Sequence, residues 1–418
     1  MRTPQGWVAG APRTQPGPQY AWQIAVARQG PAKKPWRAVV KSILATLMLT
    51  YVAYLMVTLA VLVYGVGIVL PELNDATYTI YVLIPLLTPL FSISGTALEV
   101  YYLTLVVAII VSVIWLIFSS MKGFTDELGT KAKSREHSAL FDVCALFFGV
   151  LFFDLALAFI MVWGGFEPTD PVSDSDTWQM LFGLANASVW EEIVSRVALI
   201  GVPLLVIDLL RKQRPAKPYK YLLGGGFKIG LVEMALILVT ATLFGLAHYD
   251  SWGAWKIFPA AVGGAAFGYL FLRHGLASAI VLHFAFDYLS MPTTVFTDST
   301  GLTVAYVVGI LLWSALGLIF FAYYIVRMAE FVTGQKYFEE KPRLVGAPTP
   351  FPQAYPPPGA YAPTAPPLPT TPYGYQVGPP PQIPRSPFTD GYVCPTCGHT
   401  QARWVDGKFR CMRCGNSS

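Results

Sequence analysis

The chain has 418 residues, of which 54% are hydrophobic and 13% charged, with a formal net charge of +5; an ordinary soluble domain carries about 25% charged residues. That balance excludes a surface solvated by water alone and predicts an all-α polytopic membrane protein.

Residues 1–36 are rich in Gly, Pro, Gln and basic side chains and lack the apolar stretch of a signal peptide. They read as a disordered cytoplasmic segment, and the first apolar run reads as an anchor. Runs long enough to cross a bilayer fall at about 39–70, 97–120, 139–163, 178–210, 228–248, 256–272, 276–290 and 302–326. This predicts about eight transmembrane helices. The segment from Tyr78 to Ile93 is apolar but short, and it contains Pro85 and Pro89; it reads as re-entrant or interfacial.

With eight spans, the segments 1–38, 121–138, 211–228, 273–275 and 327–345 share one side and carry 21 Lys or Arg, whereas the opposite loops carry only Lys256. By the positive-inside rule both termini are cytoplasmic and the chain sits in the cell membrane. Topology thus accounts for most of the basic residues, and a nucleic-acid partner is not expected. The organisation read from these features is N-terminal transmembrane helices over 37–138, a helical core over 139–330, a linker over 331–390 and a small module over 391–418.

Sixteen prolines fall among the 46 residues from Val345 to Asp390, which predicts an extended, polyproline-like spacer. Cys394-Pro-Thr-Cys397 and Cys411-Met-Arg-Cys414 follow, thirteen residues apart, a spacing that suits four thiolates around one structural Zn2+. Between them Asp406-Gly407 is a favoured two-residue hairpin turn. A zinc-ribbon β module is expected, with a protein partner as its foremost target; its basic residues also suit anionic lipid or nucleic acid. The fifth cysteine, Cys144, lies on an apolar face and reads as core packing.

Three short sequences place ionisable groups at membrane depth: Glu191-Glu192-Ile-Val-Ser-Arg196, Phe244-Gly-Leu-Ala-His248 and His283-Phe-Ala-Phe-Asp287. A charge there costs roughly 2.5–3.5 kcal/mol on insertion scales and calls for a partner or a function. Glu192 and Arg196, four residues apart, share a helix face and can pair, whereas Glu191 is turned about 100° away without a local partner. An unpaired carboxylate beside water is what a general base needs. His248, His283 and Asp287 could hold the water and stabilise an oxyanion. Taken singly, a Glu-Arg pair is structural glue and a membrane histidine bonds a neighbouring carbonyl or hydroxyl.

The three motifs, EExxxR, FxxxH and HxxxD in this order, resemble the CPBP family of intramembrane proteases, which includes the type II CAAX prenyl endopeptidases and bacteriocin-processing proteins. The small residues of Gly264-Ala-Ala-Phe-Gly268 are also similar to the family and allow close helix packing. The resemblance covers about residues 140–290. It implies an intramembrane endopeptidase in which Glu191 and His248 activate a water, while His283 and residue 287 stabilise the tetrahedral oxyanion. Glu192 and Arg196 complete the implied catalytic set. Prenyl endopeptidase members typically have Asn at the last position, where this chain has Asp287. An ionised Asp would repel an oxyanion, so Asp287 acts either protonated or by orienting His283.

Glu191, His248 and His283 could supply three ligands to a divalent metal with an open fourth position, although no HExxH occurs in the chain. Metal-independent glutamate chemistry is the expectation. The substrate is expected to be a membrane-associated peptide or protein. Two other readings are an adaptor acting through the ribbon and a proton-coupled transporter. If the span 228–248 runs outward, His248 lies about 30 Å from its cytoplasmic start, which suggests either a tilted helix that starts later or a cavity opening sideways or outward.

Overall fold

The structure is a computed structural model that describes residues 35–83, 87–129, 137–169, 175–211 and 217–337, together with the backbone of 402–405 and 408–411. The chain divides into two compact units, Met1–Glu339 and Glu340–Ser418.

The first unit is a helical bundle. Its helices are α1 (Pro35–Leu73), α2 (Thr96–Leu128), α3 (Ala139–Trp163), α4 (Thr177–Leu210), the short α5 (Tyr219–Leu223), α6 (Leu231–Ala247), the single turn α7 (Tyr249–Trp252), α8 (Ile257–His274), α9 (Leu276–Asp287), the short α10 (Met291–Val295) and α11 (Thr300–Thr333). Among the described residues, seven helical segments are long and apolar enough to cross a membrane. The surface agrees with that: Phe118, Trp163 and Leu231 are 84%, 83% and 81% exposed, an arrangement that hydrocarbon favours and water does not.

The eighth expected span is different. Helix α9 has 12 residues, about 18 Å of helix, well under the roughly 30 Å hydrocarbon core. It is buried along most of its length, from Ser278 to Ala285, and packs against α2, α3, α4 and α8. Around it, Tyr51 and Tyr54 of α1, Phe147 and Phe148 of α3 and Trp313 of α11 form one aromatic cluster, with centroids 4.7–6.3 Å apart. The Tyr54 hydroxyl donates to the carbonyl of Ala285, pinning α9 to α1.

The apolar segment after α1 is a β-hairpin, with β1 (Thr77–Leu83) antiparallel to β2 (Leu87–Ser94). The run Thr-Tyr-Thr-Ile-Tyr-Val is β-branched and aromatic at every position, a strand composition. Pro89 stands opposite Tyr81, beside a register shift between Ile80 and Tyr81, and a bulge is where a strand tolerates proline. This hairpin adds β structure that the all-α reading lacked.

Glycine fixes the packing of α6 against α8. A Cβ on Gly264 would lie 3.2 Å from Ala241 Cα, one on Gly268 would lie 3.4 Å from the Ile237 side chain, and one on Gly245 would collide with the Ile257 carbonyl. Small residues thus bring the two backbones together, as their spacing predicts.

In the second unit β3 (Ala402–Val405) and β4 (Lys408–Cys411) pair antiparallel with Val405 opposite Lys408, leaving two residues, Asp406 and Gly407, to turn the chain. Cys411 ends β4, whereas Cys394, Cys397 and Cys414 lie outside the described residues.

Candidate active site

The middle of α4 is π-helical over Ala187–Glu191 and Ile193–Gly201. Such i→i+5 turns are rare and gather at functional sites. Here the π-helical stretch carries the whole EEIVSR motif.

Glu192 and Arg196 are both fully buried, and Arg196 Nε donates to Glu192 Oε2 at 3.0 Å while Nη2 lies 3.5 Å from Oε1. The guanidinium carbon lies 5.2 Å from the Phe244 ring centroid and 5.6 Å from that of Phe267. The cation is therefore held by one carboxylate and two aromatic rings, which offsets the cost of burying it. Phe267 also stacks on the His283 imidazole at 4.6 Å and 16°.

Glu192 has a second partner. His283 Nδ1 lies 3.0 Å from Glu192 Oε1, so this nitrogen carries its proton toward the carboxylate. Nε2 then faces two acids, Asp287 Oδ2 at 3.4 Å and Glu191 Oε2 at 4.0 Å. Asp287 Oδ2 is in turn 2.9 Å from the hydroxyl of Ser188, one turn before Glu191.

The two neighbouring glutamates differ in access: about 34% of the Glu191 side chain is exposed, against 0% for Glu192. Even so, Glu191 Oε2 is a buried atom with no hydrogen-bond partner among the described residues, and the same holds for Arg196 Nη1. Buried polar atoms are almost always satisfied, so both call for a water or a substrate group. His248 caps α6 and is fixed through Nδ1, 2.8 Å from the Phe244 carbonyl, leaving Nε2 free to act. Its ring and that of His283 lie 4.9 and 5.9 Å from Phe244.

The hairpin reaches this site. The Trp190 indole donates to the Tyr81 carbonyl at 2.6 Å, Asn186 Nδ2 donates to the Tyr78 hydroxyl at 2.9 Å, and Tyr101 of α2 donates to Asn186 Oδ1 at 2.5 Å. Strand β1 is thereby tied to the turn that carries Glu191.

All six residues singled out in the motifs thus come from α4, α6 and α9 into one neighbourhood. Sequence reasoning missed Ser188, Phe267, Trp190 and Tyr78. Ser188 had a readable signal, a hydroxyl three residues before Glu191 in an apolar span, and Trp190 adjoins Glu191; Phe267 and Tyr78 meet the site across large sequence separations. His274, the last residue of α8, lies 2.7 Å from the buried carboxylate of Asp142, which also receives Tyr269 and Tyr324.

As for a metal, no group of three His, Cys, Asp or Glu side chains among the described residues is placed to hold one.

Residues 173–289 match the family model described as Type II CAAX prenyl endopeptidase Rce1-like. The match contains every motif residue from Glu191 to Asp287. Neither curated proteins nor solved structures give a match.

Proposed function

We propose that the Rce1-like type II CAAX prenyl endopeptidase domain at 173–289 makes this chain an integral membrane endopeptidase. Its substrate is a membrane-associated peptide or protein, cleaved by a water that Glu191 activates. Glu191 takes a proton from the water with His248 Nε2 as the second acceptor, and the hydroxide attacks the peptide carbonyl. Once protonated, His283 donates from Nε2 to the tetrahedral oxyanion while Glu192 holds Nδ1. Glu191 returns its proton to the leaving amine, and no covalent intermediate forms.

Asp287 acts through His283, as a positioning residue anchored by Ser188, and not directly on the oxyanion. The Glu192–Arg196 pair positions His283 from its other side. The observation that carries this reading is the contrast between the two glutamates. One is fully paired and sealed; the other is part-exposed, with an unpartnered oxygen 4.0 Å from the His283 imidazole. A structural role for both would leave no reason for that difference.

In this reading α9, enclosed by its neighbours, still carries the chain across the bundle as the eighth crossing, so that both termini are cytoplasmic and the protein sits in the cell membrane. The Pro-rich segment is a tether, and Cys394, Cys397, Cys411 and Cys414 bind one structural Zn2+ in a ribbon that recruits a protein partner.

The test is a comparison of membrane proteomes from cells making equal folded amounts of wild type and Glu191→Gln. New peptide termini present with wild type should fall by about 10²–10⁴-fold in the variant, the usual scale of general acid–base catalysis. Termini that persist unchanged overturn the proposal.

A further inference from the structure

The hairpin β1–β2 lies outside the family match, which begins at residue 173, yet it runs to the site. The Tyr78 ring packs edge-on against Phe182 at 4.9 Å, its hydroxyl accepts from Asn186, and the Tyr81 carbonyl accepts from Trp190. Strand β1 therefore follows α4 inward, from its first turns to the residue before Glu191. Trp190 stands thirteen residues after Thr177, about 20 Å along the helix, so this end of the strand lies at membrane depth. There β1 also packs against Ile193–Gly201 of α4 and against α6, so it borders both helices that carry Glu191 and His248.

An open strand edge at that depth is costly, because hydrocarbon satisfies no backbone N–H or C=O. The two edges of the hairpin differ. On the β2 side Leu90 and Phe91 are 51% and 56% exposed, and Pro89, at the register shift, has no N–H to offer another strand. Strand β1 contains no proline. The Tyr81 carbonyl turns to Trp190 and not to β2, so Tyr81, and by alternation Thr79, stands in a non-hydrogen-bonded pair whose N–H and C=O face away from β2. The Thr79 and Ser92 hydroxyls lie 2.8 Å apart across the strands, which suits the closer side chains of such a pair. Among the described residues, no group outside the hairpin bonds the Thr79 backbone or the Tyr81 N–H.

We propose that the free edge of β1 receives the substrate backbone as an added strand. Thr79 N–H and C=O and Tyr81 N–H pair with an extended peptide segment that runs on to Glu191. A peptide chain is the occupant that fits: it alternates N–H and C=O at the strand period, which lipid does not, and the edge ends beside the glutamate that would cleave it. This inference rests on the peptidase reading and gives the substrate a shape, an extended segment rather than an intact helix.

The full-length chain is reconstituted in phosphatidylcholine vesicles and given a synthetic peptide copying a cleavage site found in the proteome comparison. A series of the same peptide replaces one backbone N–H at a time by an ester oxygen, and cleavage is read by mass spectrometry. Every second ester on one side of the scissile bond should lower kcat/KM by about fivefold, the size of one hydrogen bond, because alternate residues face the neighbouring strand. Thr79→Pro removes the edge N–H without touching the β1–β2 ladder. It should cost a similar factor and flatten the ester pattern at one position. Ser92→Pro makes the same change at the paired position on the opposite edge and should cleave like wild type. The ester series uses wild type alone, so it decides the matter even where a proline variant fails to fold.

Ester effects without a two-residue period, or a period that folded Thr79→Pro leaves intact, overturn the inference and leave the peptidase reading standing. Equal losses in Thr79→Pro and Ser92→Pro, both folded by thermal melting, do the same. A wild-type dimer, seen by cross-linking in the vesicles, that Thr79→Pro dissociates with the peptide pattern unchanged assigns the edge to a second copy and also overturns it. If wild type cleaves no peptide at all, the peptidase reading falls and this inference with it.

Discussion

Arg196 is fully buried, and its guanidinium is enclosed by the Glu192 carboxylate and the Phe244 and Phe267 rings. Removing one member of such a pair strands the other charge. Arg196→Ala should therefore destabilise the bundle by about 3–5 kcal/mol, whereas Glu192→Gln combined with Arg196→Met should recover most of that loss. Thermal melting in detergent reads both variants. The double variant should still cleave poorly, because His283 Nδ1 would face a neutral amide in place of the carboxylate that supports a protonated imidazole. At this scale the sequence was informative wherever an interaction is local: i, i+4 spacing put Glu192 on Arg196 and left Glu191 aside. It was silent on Phe267, because helical periodicity says which residues share a face and not which foreign face they meet.

Among the elements, α4 and the hairpin differ most from what periodicity alone suggests. The π-helical turns of α4 cannot be read from an apolar run. Their cost is sustained by tertiary ties, of which the Trp190–Tyr81 and Asn186–Tyr78 hydrogen bonds are two. Trp190→Phe keeps the ring and removes the donor. It should speed hydrogen exchange across Thr77–Leu83 by about fivefold or more, the equivalent of roughly 1 kcal/mol for one hydrogen bond, and leave exchange in α3 and α11 unchanged. Equal rates in both proteins would show that the hairpin is held by packing alone. The hairpin escaped the sequence reading because length and hydropathy dominated; the alternation of β-branched and aromatic side chains in Thr77–Val82 was the signal that distinguishes a strand from a re-entrant helix.

For the whole molecule, charge asymmetry and hydropathy made the membrane bundle legible, and only its eighth span came out shorter than its apolar run. Cysteines introduced at Asn74 and at Lys220, in a background with the native cysteines replaced by serine, should react with an impermeant reagent from opposite sides of the membrane. Labelling of both from one side would refute the proposed topology. Because the chain divides after Glu339, stripping metal with a chelator should release one Zn2+ per chain and unfold the β3–β4 hairpin while the helical circular dichroism signal stays within a few per cent. The short α9 also bears on biogenesis. An apolar stretch of 12 residues is too short to be released into lipid as an independent span during synthesis, so α9 settles only once α2, α3, α4 and α8 offer it a place. His283 and Asp287 arrive with it. On the proposed function, the constellation of Glu191, His283 and Asp287 is thus absent from the nascent chain and assembles only when the bundle closes, so a half-inserted molecule would have no competence to cut its neighbours.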